Sequence, residues 1–181
     1  MSRPAILGER VEYRSPWLDV KVKEVDLGPP RGREEFWSVG TGHDYVAVLA
    51  TTEDGLVPLV RLFRPAVDEV VLELPSGAID RGETPEEAIR RELLEETGCE
   101  ANEVVSLGTY FTDSGRMETL QWAFFAPRVR AGVAEPHEDE GLELLFVERG
   151  ELRESVLRGD FRMAPHLAII GAAVLHGRIE L

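Results

Sequence analysis

The chain has 181 residues, 43% of them hydrophobic, enough apolar material for one domain with its own core and too much for a chain disordered throughout. Lys and Arg number 20 against 34 Asp and Glu, a net charge of -14, so the surface repels nucleic acid and anionic membrane; an anionic small substrate needs local compensation from a metal or from placed arginines. The single cysteine, Cys99, allows no intrachain disulfide and fits a reducing cytoplasm, while MSRPAILGER has no apolar run of the signal-peptide kind and no stretch of roughly 18 apolar residues exists to span a membrane.

Residues 18–27, LDVKVKEVDL, alternate apolar and polar side chains, which predicts a half-buried strand. GPPRGR follows as a turn and EEFWSVG as the return strand. DYVAVLATT, EDG and LVPLVRLFRP read as a second strand–turn–strand, and EVVLELP as a short strand closed by Pro75 and Gly77. A helix is expected over 84–97: Thr84 caps it, Pro85 suits its first turn, and Glu87 has capping-box spacing from Thr84. Strands follow near 103–112, 118–126 and 142–148, then helices near 149–158 and 164–176, the second apolar almost all round and expected to be buried. Strands, a helix, strands and then helices predict a mixed α/β (α+β) domain rather than a doubly wound one. Residues 1–42 read as an N-terminal β-strand arm and 43–181 as the main domain.

RRELLEETG, residues 90–98, puts Glu92, Glu95 and Glu96 on one face at i, i+3 and i+4 spacing, in the last turns of that helix. A lone cluster of this kind is ordinarily a solvated acidic face. Here it opposes the helix dipole and repels itself, and a divalent cation relieves both costs. Oxygen donors favour Mg2+, Mn2+ or Ca2+ over zinc.

The surrounding GAIDRGETPEEAIRRELLEETGC, residues 77–99, resembles the Nudix box at Gly77, Glu83, Arg91, Glu92, Leu93, Glu95, Glu96 and Gly98. Cys99 departs from it, replacing an aliphatic residue with a small hydrophobe. The resemblance implies the Nudix fold, a mixed β-sheet sandwiched between helices, and a metal-dependent hydrolase of diphosphates linked to another moiety. It implies Glu92 and Glu96 as principal ligands of Mg2+ (or Mn2+), Glu95 as a further ligand and catalytic group, the backbone carbonyl of Ser76 as another ligand, and a structural pair between Glu83 and Arg91.

RLFRP and LELPSGAIDRGETPEEA resemble the ADP-ribose pyrophosphatase and nucleoside diphosphate sugar branch. That branch implies Arg64 at the substrate phosphates and Glu73 near substrate or metal. In EPHEDEGLELLFV it implies Glu138 as general base and Glu140 as a metal-side carboxylate, with His137 a rival base because its ordinary pKa lies near 6.5. YFTDSGRMET keeps Ser114, Gly115 and Glu118 of the branch's loop pattern but lacks its proline, which leaves other nucleoside diphosphate sugars open; Arg116 there is a candidate for a phosphate or the terminal sugar. Trp17 and Trp37 are candidates to stack a base, and are equally explained as core or interface aromatics. The branch also implies a homodimer whose N-terminal strands cross to the partner. Hydrolysis of nucleoside triphosphates or dinucleoside polyphosphates is the alternative activity. A Nudix-like domain that senses ligand without cleaving it is the alternative of a different class, disfavoured by the complete box.

Overall fold

The computed structural model describes residues 3–132 and 141–181. Two compact units emerge: one holds the residues up to Asp44 together with Phe111–Leu120, the other Tyr45–Tyr110 and Gln121–Leu181.

In the first unit β1 (Ala5–Arg14), β2 (Asp19–Asp26) and β3 (Arg33–Gly40) form an antiparallel sheet in that order. β1 is absent from the strands expected above. Its register shifts between Ile6 and Gly8 and again between Val11 and Tyr13, and each irregularity interrupts the alternation by which a strand is recognised. β1 is exposed along its whole length, and Ile6, Leu7, Val11, Tyr13, Phe36 and Trp37 all stand open. Among the described residues of this unit, Val22 is the buried hydrophobic side chain. Residues 111–120 are stitched to β3: Val39 N–H donates to the Arg116 carbonyl at 2.7 Å and Glu118 N–H to the Val39 carbonyl at 3.0 Å. The Glu118 carboxylate accepts from Lys21 Nζ at 2.7 Å, from Lys23 Nζ and from Ser38 Oγ at 2.9 Å. Lys21, then Lys23, hold that carboxyl down at about 2.

The second unit is α+β. One sheet runs β7 (Ser76–Ala78), β4 (Tyr45–Thr52), β9 (Leu120–Val129), β8 (Val105–Phe111), with β4 parallel to β9 and antiparallel to β7. The other runs β10 (Glu143–Val147), β5 (Val57–Arg64), β6 (Glu69–Glu73), antiparallel throughout. The continuous apolar run of β4 follows from burial on both faces. Val46, Val48 and Ala50 meet Phe124 and Ala126 of β9 and Ala88, Ile89 and Leu93 of α1 (Pro85–Thr97). Ala47 and Leu49 meet Val57 and Leu59, Leu152 of α2 (Arg149–Arg158), and Ile169 and Ala173 of α3 (Ala164–Leu175). The β4 layer is therefore sandwiched between helices.

β4 and β5 are the expected strand–turn–strand, joined by a tight turn in which Thr52 N–H reaches the Leu56 carbonyl at 2.8 Å. The edges of β4 are taken by β7 and β9 and those of β5 by β6 and β10, so the two strands belong to different sheets. One expectation needs correction: the helix α3 is not buried all round. His166, Ile169, Ile170, Ala172 and Ala173 face inward, whereas Val174 is 42% and Leu175 88% exposed. No helix among the described residues is long and apolar enough to cross a membrane.

Candidate active site

The site is built where the chain passes from β6 to β7 and on into α1. Thr84 caps α1, accepting from Glu87 N–H at 3.3 Å, while the Glu87 carboxylate accepts from Thr84 N–H at 2.8 Å. Gly98 closes the helix with φ 64°, a left-handed conformation that suits glycine. Glu86 and Glu87 suit the positive end of the dipole, and no basic residue occupies the last turn, where Glu95 and Glu96 stand.

Arg91 supplies much of the missing countercharge. It grips Glu83 with Nε and Nη2, both at 2.9 Å, a bidentate pair that ties the loop to the helix. Nη2 also reaches the Ala78 carbonyl at 3.1 Å, and Nη1 donates to Glu92 at 2.8 Å and Glu95 at 3.1 Å. The hydrogen bonds that Arg91 donates to Glu83 lower the Glu83 pKa and raise that of Arg91. The reach of Arg91 to Glu92 and Glu95 was not foreseen from the sequence, although Arg91 and Glu95 share a face at i, i+4 spacing.

Glu92 lies against the backbone of β7. A Cβ on Gly77 would stand 2.0 Å from Glu92 Oε1 and 2.1 Å from its Cδ, so a side chain there and Glu92 in its place exclude one another. Glu96 Oε2 accepts from Ser76 N–H at 2.8 Å. Two box glutamates thus converge on one three-residue strand. Cys99 is fully buried among the side chains packed between α1 and the sheet, and burial pushes its thiol up.

Arg64 and Glu73 form a second bidentate pair. Arg64 Nε and Nη2 donate to the two Glu73 oxygens at 2.8 and 2.9 Å. Glu73 is 1% exposed, and a carboxylate so far from water costs several kcal/mol unless such a partner meets it. Arg64 is less enclosed, its side chain 45% exposed.

Arg116 and Trp37 belong to the first unit. The Arg116 side chain is 79% exposed and 3.4 Å from Asp113, and Trp37 lies opposite Val22 with 56% exposure. Trp17, 77% exposed, lines a cavity of about 520 Å³ with Arg14, Lys21, Thr41, His43 and Asp44; Trp37 does not line it. Glu138, Glu140 and His137 lie outside the described residues.

A divalent metal suits the groups present. The converging side chains are carboxylates, the donors hard cations take, and Gly77, having no Cβ, lets the Glu92 carboxylate lie against the β7 backbone that Glu96 also reaches. Among the described residues, no three His, Cys, Asp or Glu side chains are gathered as a metal cluster, and Arg91 is hydrogen-bonded to two of the glutamates.

The layered α+β domain and its glutamate-bearing helix match a known family. The NUDIX domain model matches residues 41–167, more than half of the chain. The chain belongs to the Nudix family. It is 32% identical over 132 residues to the ADP-ribose pyrophosphatase of Bacillus subtilis (strain 168), covering 72% of this chain and 70% of that protein. It is 30% identical over 159 residues to the GDP-mannose pyrophosphatase of Cronobacter sakazakii (strain ATCC BAA-894), covering 83% of this chain and 82% of that protein. A crystal structure of an ADP compounds hydrolase superposes with a TM-score of 0.83 at 21% identity, over 99% of this chain and 98% of that one; this likeness is one of fold.

Proposed function

We propose that the protein hydrolyses the pyrophosphate bond of ADP-ribose or a related nucleoside diphosphate sugar, with Mg2+ (or Mn2+), to a nucleoside monophosphate and a sugar phosphate. The observation that carries the reading is the convergence of Glu92 and Glu96 on β7, with Gly77 bare beneath Glu92. Its relatives in Bacillus subtilis and Cronobacter sakazakii carry the names of such pyrophosphatases.

In this reading Glu92, Glu96 and the Ser76 carbonyl hold the ion, with Glu95 beside them. When bound, the ion offsets pyrophosphate charge and makes a bound water more acidic. Glu83 keeps Arg91 anchored, so the glutamates stay in register as the loop preceding α1 meets substrate. Arg64, steadied by buried Glu73, binds a substrate phosphate and stabilises charge on the leaving group. Water oxygen bonds to one phosphorus as the bridging P–O bond breaks; Glu138 takes the proton, with Glu140 on the metal side and His137 the rival base. Arg116 meets the distal phosphate or sugar. Trp37 stacks the base, and Trp17, on a cavity of about 520 Å³, is a second candidate for that task. The active form is a homodimer in the cytoplasm, and neither nucleic acid nor membrane is a partner. The dimer reading is supported by the apolar side chains that the β1–β2–β3 sheet leaves open to water.

The test is a substrate screen with Mg2+, using ADP-ribose, GDP-mannose, UDP-glucose, NADH, dinucleoside polyphosphates and nucleoside triphosphates, with products resolved by chromatography. Preferred cleavage of a nucleoside diphosphate sugar to two monophosphates is expected. Preference for triphosphates or dinucleoside polyphosphates overturns the substrate class, and binding without cleavage overturns the enzyme reading.

A further inference from the structure

His166 is the one ionisable side chain in the otherwise apolar helix α3, APHLAIIGAAVL, and it is 3% exposed. Its Nδ1 accepts the backbone N–H of Leu74 at 3.1 Å. An imidazole that accepts at Nδ1 is neutral, with its proton on Nε2, because the imidazolium has no lone pair to offer. Burial favours that form and pushes its pKa down to about 4.

Leu74 sits where neither sheet serves it. The β5–β6 ladder ends at Val60 and Glu73, and the β4–β7 ladder begins at Ala47 and Ser76. Between them, Pro75 has no N–H, and its carbonyl accepts from Val48 N–H at 3.0 Å. The buried Leu74 N–H has left both ladders, and a buried amide without an acceptor is costly. His166 supplies the acceptor, from a helix 92 positions further along the chain. On one side of this joint stands Glu73, gripping Arg64; on the other stands Ser76, bonded to Glu96.

We propose that His166 is a positioning residue: by holding the Leu74 N–H it fixes the joint between β6 and β7, and so the direction in which Glu73 presents Arg64 to a substrate phosphate. The inference rests on the reading of Arg64 given under Proposed function. The imidazole itself touches neither substrate nor metal.

The test compares His166→Leu, His166→Asn, His166→Gln, Arg64→Ala and the double variant His166→Leu/Arg64→Ala, with ADP-ribose and saturating Mg2+, at a temperature where each is folded. His166→Leu removes the acceptor, and KM is expected to rise about tenfold with kcat within about threefold. Asn places its Oδ1 where Nδ1 stood and should restore most of the loss; Gln, one bond longer, should not. In the Arg64→Ala background, His166→Leu should add little, since residues acting as a unit are not additive. A lowered melting temperature with unchanged KM leaves His166 a purely structural residue and overturns the proposal. So do a full additive effect on top of Arg64→Ala and equal behaviour of the Asn and Gln variants. If His166→Leu does not fold, the Asn and Gln pair decides. Arg64→Ala with unaltered KM and kcat removes Arg64 from the proposed function itself, a failure separable from additivity.

Discussion

The sharpest consequence of the site geometry concerns Gly77. Its φ is not in the left-handed region, so alanine meets no backbone strain there; the obstacle is space. A Cβ would stand 2.0 Å from Glu92 Oε1, and ordinary contact begins at 3.4 Å, so the carboxylate must retreat by about 1.4 Å. That movement takes the carboxylate out of its place against β7, where Glu96 also reaches. Contacts that orient a metal ligand are typically worth about 10–100-fold in metal affinity. Gly77→Ala should therefore raise the Mg2+ concentration for half-activity about 10–100-fold, and kcat should fall because a displacement near 1 Å disturbs reacting geometry. The assay is a Mg2+ titration of initial rates at saturating substrate, with thermal melts in parallel. Gly150→Ala, where a Cβ meets nothing within 4 Å, is the control and should leave the titration unchanged. A Gly77→Ala enzyme with the parent's metal titration and kcat refutes the assignment of Glu92 as a ligand held against β7.

Excess EDTA should abolish turnover, Mg2+ or Mn2+ should restore it, and metal should raise the melting temperature because it binds only the folded carboxylate cluster; undiminished turnover in EDTA sinks the metal reading. Glu96→Gln should raise the metal requirement, whereas Glu138→Gln should leave it nearly unchanged, lower kcat about 10²–10⁴-fold and flatten the acidic limb of the pH profile; near-full activity of Glu138→Gln moves the base to Glu140 or His137. Light scattering at micromolar concentration should give twice the 20.2 kDa chain mass, and deleting residues 1–40 should abolish dimerisation; a monomeric parent refutes the role given to the β1–β2–β3 sheet. Acid should weaken the fold in two windows. His166 titrates at about 4 when folded and near 6.5 when unfolded, so between those values the unfolded chain binds more protons and stability falls as pH drops, by up to about 3 kcal/mol. Glu118, held at about 2 against an ordinary 4.5, contributes stability that is complete above 4.5 and lost as pH falls toward 2. Urea titrations across pH check both windows, and a slope between about pH 6.5 and 5 that persists in His166→Leu rules out the first.

What could be read in the sequence was local. Thr84, Pro85, Glu87 and Gly98 bound α1 because caps and turn conformations depend on neighbours a few positions away. The common face of Glu92, Glu95 and Glu96 follows from helix periodicity, and the family from the spacing around them. α2 was legible to the residue, 149–158, for the same reason. β7 was missed because three residues are too few to show a period, and β1 because its irregular register breaks one. The other omissions span long distances along the chain. Whether β4 pairs with β5 depends on which strands claim its edges, and β9 begins some 70 residues after β4. Lys21 meets Glu118 across 97 positions and His166 meets Leu74 across 92. The lone histidine in an apolar helix was a visible signal, but its partner is a backbone amide, and any residue except proline could have supplied one. By itself the sequence determined the helices, the acidic face and the family, since each is written in spacings of a few residues. Tertiary structure alone decided where Glu96, Glu118 and the Leu74 amide find their counter-groups, because a buried charge or amide takes whichever donor or acceptor the packing of distant elements brings within about 3 Å.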